Sequence, residues 1–363
     1  MPNSATLRRG IPLRRLRNAM QHSWILSRAE NATAVVRCGR LRRAFGLSRA
    51  LVRALRGTAS ERPLSLALQG GGSFGAFTWG VLDRLLEERD IRFDAISGAS
   101  AGAVNAVLVA SGMIENRAEA KAKLARFWKR MSHSASYLPI TALASATMGA
   151  SLSHFARTLS PYQSNPFDLN PLRQALAAEI DFERLRAQSP VKLLIAATRV
   201  RNGQLRIFRE SELSVETVLA SACLPLIHHA IEIDGESYWD GGYVANPPLI
   251  PLVQASDAAN ILVVQVTPAK SDRLPKTSRE ILKRIDQINF NSTLNAEIEA
   301  VKIGISVGAT PKLRRLRIDR ISAQDEFEGL ADQNAANLGW GFLKRLRESG
   351  RNAAETWIAR PTA

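Results

Sequence analysis

"AISGASAGAVNA", residues 95–106, holds no charged side chain and almost no bulk, and it sets Ser100 two positions from a glycine on either side. A short apolar run, "FDAIS" (93–97), leads into it, and a helix of small residues leads out from Ala101. The reading is a strand that ends on a sharp turn into a helix, which places the chain among layered α/β folds. Gly98, Ser100 and Gly102 complete the pattern G-x-S-x-G. A nucleophile on such a turn takes strained dihedrals, and its neighbours must be nearly free of side chains so that strand and helix can approach. Small residues also serve ordinary helix–sheet packing, so the pentapeptide by itself leaves two readings open.

Upstream, "LSLALQ" (64–69) is stopped by three glycines and followed by "AFTWGVLDRLLEER" (76–89), with helical spacing at Phe77, Val81 and Leu85. Gly70, Gly71, Gly72 and Gly75 therefore sit where a strand ends and a helix begins. Backbone N–H groups there can point at a negative atom, with the positive end of the helix dipole behind them. Phosphate or an oxyanion would suit such a turn equally. The spacing also fits G-x-G-x-x-G, with Asp94 lying 24 residues beyond Gly70. In a dinucleotide fold, however, the acidic residue should close the second strand, whereas Asp94 stands at its start. A phosphate-binding P-loop is excluded because no Lys-Ser or Lys-Thr follows the glycines.

Downstream, the expected strands are 191–200, 204–208, 260–266 and "KLRRLRI" (312–318). A helix over 119–131, one long helix or two over 278–306, and a closing helix over 334–348 complete the alternation. That alternation implies a mostly parallel sheet. Residues 132–168, rich in Ser, Ala and Pro with scattered Leu, Phe and Tyr, are a candidate lid or acyl-pocket region.

A serine nucleophile needs a base. The five histidines are His22, His133, His154, His228 and His229, and a Ser…Asp…His order through Asp168 or Asp181 to His228 or His229 is permitted by spacing. An adjacent His pair entering a strand is more often structural. A second candidate is Asp240 in "YWDGGYVANPP", where Gly241 and Gly242 allow the backbone close to another element. Asp-Gly-Gly alone usually marks a hairpin turn.

The chain has 363 residues and a net charge of +16, unevenly placed. Residues 1–60 carry 13 Arg, no Lys and one acid, Glu30, for +12; the remainder has 36 basic and 32 acidic side chains, for +4. Residues 1–60 thus read as a basic extension and 61–363 as a nearly balanced domain with a helical C-terminal part. "LRRAFGLSRALVRALR" (41–56) has the pattern of a basic amphipathic helix suited to an anionic membrane surface. A solvated tail and an Arg-rich presequence are the other readings of this segment. No apolar run approaches a membrane span. Cys38 and Cys223, far apart, give neither a disulfide framework nor a cysteine zinc site and fit a reducing, cytoplasmic compartment.

In this order and spacing, the glycine turn, the G-x-S-x-G serine and the D-G-G aspartate resemble the patatin-like phospholipase family. The resemblance covers roughly residues 64–250, including "ASACLPLI" (220–227) with Pro225 ahead of the D-G-G strand. It implies a three-layer α/β/α fold around a mostly parallel sheet, with Ser100 as nucleophile and Asp240 as general base in a dyad that needs no histidine. It implies an oxyanion hole at Gly70, Gly71, Gly72 and Gly75, centred on the amides of Gly71 and Gly72, with Gly98, Gly102, Gly241 and Gly242 as motif support. The family's glycine turn often has a basic residue before its last glycine; here that residue is Phe74, which leaves headgroup preference open.

The expected substrate is a phospholipid or another lipid ester, with no cofactor, no metal and no specific nucleic acid. Oligomeric state is left open. A carboxylate is a weak base for a hydroxyl, so the Asp240 site is expected to be partly desolvated, lifting its pKa above the reference of about 3.9. Two other classes remain at this stage: a non-covalent nucleotide or phosphate binder using Gly70–Gly75, and electrostatic nucleic-acid binding through the arginine-rich segment.

Overall fold

The computed structural model describes residues 61–134, 159–271, 273–327 and 329–360. The readings made for residues 1–60, including Cys38 and His22, and for 135–158, including His154, lie outside these. The apolar runs become one eight-stranded sheet: β1 (Arg62–Leu68), β2 (Ile91–Gly98), β3 (Lys192–Arg199), β4 (Leu205–Arg209), β5 (Ile231–Ile233), β6 (Glu236–Asp240), β7 (Asn260–Gln265) and β8 (Arg317–Ser322). Its order is β5-β6-β3-β2-β1-β7-β8, with β4 also paired to β3. The run β3-β2-β1-β7-β8 is parallel throughout, while β4, β5 and β6 are antiparallel to their neighbours.

The helices of seven residues or more are α1 (Gly75–Leu85), α2 (Ala101–Met113), α3 (Arg117–Ser134), α4 (Pro171–Glu179), α5 (Phe182–Gln188), α6 (Val215–Ser221), α7 (Leu249–Ala255), α8 (Ser278–Ser306) and α9 (Trp340–Ala359). Strand residues alternate between two cores, as the pleat requires. Leu66, Leu68, Leu262 and Val264 pack with Phe77, Val81, Leu108 and Phe342 of α1, α2 and α9 on one face. Ala67, Leu194, Ile261 and Val263 pack with Leu249, Leu252, Leu294 and Val301 of α7 and α8 on the other. Burial on both faces explains why the central strands read as continuous apolar runs. No helix among the described residues is long and apolar enough to cross a membrane.

Two expected elements differ. The segment 312–318 is not one strand: Pro311–Arg315 is a helical turn and only Arg317 onward joins the sheet. Thr310 caps that turn by accepting the Leu313 N–H at 3.2 Å, and Pro311 occupies its first position. The closing helix runs over 340–359 rather than 334–348, because Asn334 and Asn337 tie residues 334–339 into turns through the N–H groups of Ala336 and Gly339.

One detail of register positions the site. β3 residues Leu194 and Ile195 pair with both β4 and β2, and Ala197 and Thr198 pair with both β4 and β6. β4 fills one edge of β3, so β2 and β6 must share the other. β2 leaves that edge at Gly98, opposite Ile195, and β6 takes it up with Asp240 opposite Ala197. The end of β2 and the end of β6 thus meet two residues apart along β3, about 7 Å.

Candidate active site

Ser100 stands between β2 and α2 with φ 52° and ψ −126°, one of three non-glycine residues with positive φ among those described. A serine before a helix ordinarily has extended dihedrals and caps the first turn with its hydroxyl. Ser100 has neither the dihedrals nor the cap bond. Its hydroxyl is therefore not committed to helix capping, and the turn is strained, which is costly unless the surroundings enforce it. They do: the Ser100 N–H is held by the carbonyl of Ser221 at 3.0 Å and by its Oγ at 3.1 Å. Gly102 lets α2 approach β1, since a side chain there would strike the Leu68 carbonyl. Gly98 lies as close to the first turn of α2. Ser100 is buried, at the amino-terminal end of a 13-residue helix whose dipole favours negative charge.

The glycine turn lies against this serine: a Cβ on Gly70 would fall 2.7 Å from the Cβ of Ser100 and from the Ala99 carbonyl. Gly75 similarly abuts Ala101. The amide of Gly70 donates to Asn246 Oδ1 at 2.7 Å, and that of Gly75 to the Gly72 carbonyl. These two donors are spent, which corrects the expectation of a four-glycine oxyanion site. The amides of Gly71 and Gly72 have no acceptor among the described residues.

The turn is braced from below. Gln69 Oε1 accepts the N–H groups of Val266 and Thr267 at 2.9 and 2.8 Å, and its Nε2 donates to Asn291 Oδ1 at 3.1 Å. Thr267 Oγ1 donates to the Gly70 carbonyl at 3.0 Å, and Asn291 Nδ2 donates to the Pro268 carbonyl at 3.1 Å.

Asp240 closes the site. Its main-chain N–H donates to the Cys223 carbonyl at 2.8 Å, and its carbonyl accepts from Thr198 Oγ1 at 2.8 Å. The side chain is fully buried. Oδ1 accepts the Gly242 N–H at 2.7 Å, while Oδ2 has no hydrogen-bond partner. Gly241 packs on the Ala196 carbonyl, and Gly242 faces the Phe290 ring. Burial lifts the Asp240 carboxyl to about 7, against the opposing pull of the Gly242 N–H and the Ser100 hydroxyl. Ser100 is thus near enough to act on the carboxyl, although Oδ2 lacks a fully formed hydrogen bond. Reacting pairs are often loose before substrate tightens them.

A scan against family models matches the patatin-like phospholipase model over residues 66–253, just over half of the chain. The chain belongs to the patatin-like phospholipase family. Among solved structures, VipD from Legionella pneumophila is similar at 18% identity and TM-score 0.37, over 80% of this chain and 67% of that one. ExoU from Pseudomonas aeruginosa, in its complex with SpcU, is similar at 16% identity and TM-score 0.39, over 84% of this chain and 53% of that one. The chain therefore spans about half the length of ExoU. No curated protein matches it.

Among the described residues, no hydrogen bond joins Asp94, Asp181, His133, His228 or His229 to Ser100 or Asp240 in this patatin-like site. Asp94 accepts from Ser256 Oγ, the Asp257 N–H and the Ala258 N–H at 3.1, 2.7 and 3.3 Å, so it anchors the loop before β7 and is not placed for a ribose. Asp181 caps α5. His229 stacks on Tyr162 and lies 3.1 Å from the Pro161 carbonyl, and burial lowers the pKa of His228. Neither histidine bonds to Ser100 among the described residues, and both precede β5 instead of lying in it. His133 ends α3, exposed. No group of three or more His, Cys, Asp or Glu among the described residues is arranged to hold a metal.

Sequence reasoning did not find Gln69, Asn246, Asn291 or Ser221. Each is a polar residue that is fully or almost fully buried, and none belongs to a recognisable spacing pattern.

Proposed function

We propose that this chain is a lipid acyl hydrolase of the phospholipase A or lysophospholipase type, cleaving carboxylic esters through an acyl-enzyme on Ser100. The observation that carries this reading is the meeting of two strand ends on one edge of β3. There a strained serine with an uncommitted hydroxyl faces a buried carboxyl with an unpartnered oxygen.

In this mechanism Asp240 takes the Ser100 proton as Oγ forms a bond to the ester carbonyl carbon. The carbonyl electron pair moves onto oxygen, where the amides of Gly71 and Gly72 and the positive end of α2 stabilise it. Collapse breaks the bond to the leaving alcohol, which receives the proton from Asp240. Water then repeats the sequence on the acyl-enzyme, with Asp240 again as base. A base that titrates near 7 is matched to neutral pH, which a carboxylate at its ordinary value is not. An alcohol needs less protonation to depart than an amine, which favours ester over amide substrates. The phosphate-binding alternative gives the Ser100 strain no use.

The direct test is a fluorophosphonate probe with the adduct mapped by mass spectrometry. We expect labelling of Ser100 that disappears in Ser100→Ala and slows greatly in Asp240→Asn. An unlabelled wild-type protein in the presence of lipid would defeat the proposal.

A further inference from the structure

A helix on the surface of a globular protein turns its apolar stripe inward and its polar side to water. The amino-terminal half of α8 does the reverse. The side chains it buries there are Gln287 and Asn291. Ile281, Leu282, Ile285 and Ile288 are 42%, 63%, 46% and 51% exposed. At 100° per residue these four cover an arc of about 120° on the side away from Gln287. Asn291 faces inward because Gln69, just after β1, and Gln265, at the end of β7, both donate to its Oδ1, whereas Gln287, one turn earlier, accepts from Arg284 Nη1 at 3.3 Å. The inverted pattern is thus tied to the site itself.

The exposed stripe leads toward Asp240. Leu282, Asp286 and Phe290 follow at intervals of four and form one row along the helix. The Phe290 ring lies 5.5 Å from the Tyr243 ring and packs against Gly242. Tyr243 is itself 42% exposed.

A second apolar group approaches from another direction. Leu226 and Ile227, 87% and 45% exposed, follow closely after Cys223, whose carbonyl holds the Asp240 N–H. Phe167 and Leu169, also exposed, belong to the segment that Tyr162 ties to this turn by stacking on His229 and accepting the Ala230 N–H. The net charge beside the stripe is positive, even with Asp286 in the row itself. Residues 270–284 hold six Lys or Arg against Asp272 and Glu280, for +4.

We infer that the amino-terminal half of α8 and the Leu226–Ile227 turn form the surface on which the protein lies against an anionic lipid bilayer, with the Ser100–Asp240 site opening onto it. This rests on the lipid-hydrolase reading above. A bilayer suits the surface better than a second copy of the chain, because symmetric self-pairing would set two clusters of positive charge against each other. Apolar side chains flanked by basic ones are the composition that holds a helix in the headgroup region.

The test uses the full chain and flotation with vesicles of phosphatidylglycerol and phosphatidylcholine, alongside vesicles of phosphatidylcholine alone. Turnover of a soluble short-chain p-nitrophenyl ester is measured in parallel. We expect the wild type to float with the mixed vesicles and less so in high salt, and Ile281→Glu with Ile285→Glu to lower that partition by about tenfold or more.

Soluble-ester turnover should persist in this double variant, showing that its fold and site are intact. Ile303→Glu with Val307→Glu, on still more exposed residues at the far end of α8, each about 33 Å further along, should leave partition unchanged. Unaltered flotation of the first double variant, as when residues 1–60 do all the binding, would overturn the inference. So would a change from dimer to monomer in that variant, which would assign the stripe to a second copy. A wild type without soluble-ester turnover strikes at the acyl-enzyme reading and not at the docking surface, which flotation decides either way.

Discussion

Asp94 and Asp240 are both buried aspartates on the same line of the sheet, one early in β2 and the other at the end of the strand that continues it. Their carboxyls differ in how they are satisfied. Three donors converge on Asp94 Oδ2, two of them backbone amides of the loop before β7. Asp240 has one amide on Oδ1 and nothing on Oδ2. A buried carboxylate with its lone pairs filled serves as an anchor, whereas one left short is poised to take a proton. Between these two aspartates, then, it is not burial but the filling of the carboxylate oxygens that differs.

The sharpest way to break this comparison is to remove chemistry at one end of the line. Ser100→Ala should lower ester turnover by on the order of 10⁴-fold or more with little change in Tm, since the nucleophile and its base act as a unit. Asp240→Asn should cost about 10²–10⁴-fold, the usual worth of a positioned base, while making the protein more stable at pH 8.

The sign of that stability change follows from linkage. Between the unfolded value near 3.8 and the folded value of about 7, the unfolded state releases its proton first, so stability falls as pH rises through this window. Asparagine removes the penalty. Its advantage in Tm should be present at pH 8 and absent below pH 4, which a pair of melting curves would show. In wild type the same group predicts kcat/KM falling about tenfold per pH unit below an apparent pKa near 7. A profile flat down to pH 5 would count against Asp240 as the base.

Smaller effects test the bracing. Asn246→Ala frees the Gly70 amide and loosens the glycine turn, so we expect a loss of roughly 10–100-fold in kcat with KM nearly unchanged. Asp94→Ala, at the other end of the comparison, should leave kcat/KM of the folded protein within about twofold. It should destabilise by roughly 1–3 kcal/mol, because two loop amides lose their acceptor. Urea unfolding and steady-state kinetics on one sample separate the two outcomes.

The parts of this molecule legible in the sequence are those in which one short segment carries its own reason. β1, β2, β3 and β7 are buried on both faces and so are written as apolar runs. The Ser100 turn needs small flanking residues within five positions, and the glycine turn needs them within six. The misread segment 312–318 shows the limit. Only Leu316 and Ile318 have the spacing of a strand; the Thr310–Pro311 cap starts a helical turn that takes up Leu313 first, and local capping outweighs so short an apolar pattern.

What the chain determined by itself, then, is the strand–turn–helix at Ser100, the glycine turn over Gly70–Gly75, and the continuous strands that make a parallel core. Tertiary structure alone decided that β6 takes over the edge that β2 leaves, which brings Asp240 to a serine 140 residues earlier in the chain. It also decided that Gln69, Asn246 and Asn291 are spent on bracing, that Gly70 and Gly75 are not free donors, and that α8 turns isoleucines outward. The physical reason is common to all of these. Backbone dihedrals and strand burial are set by neighbours in sequence, whereas hydrogen-bond satisfaction and desolvation depend on which distant segments arrive, and only the assembled sheet specifies that.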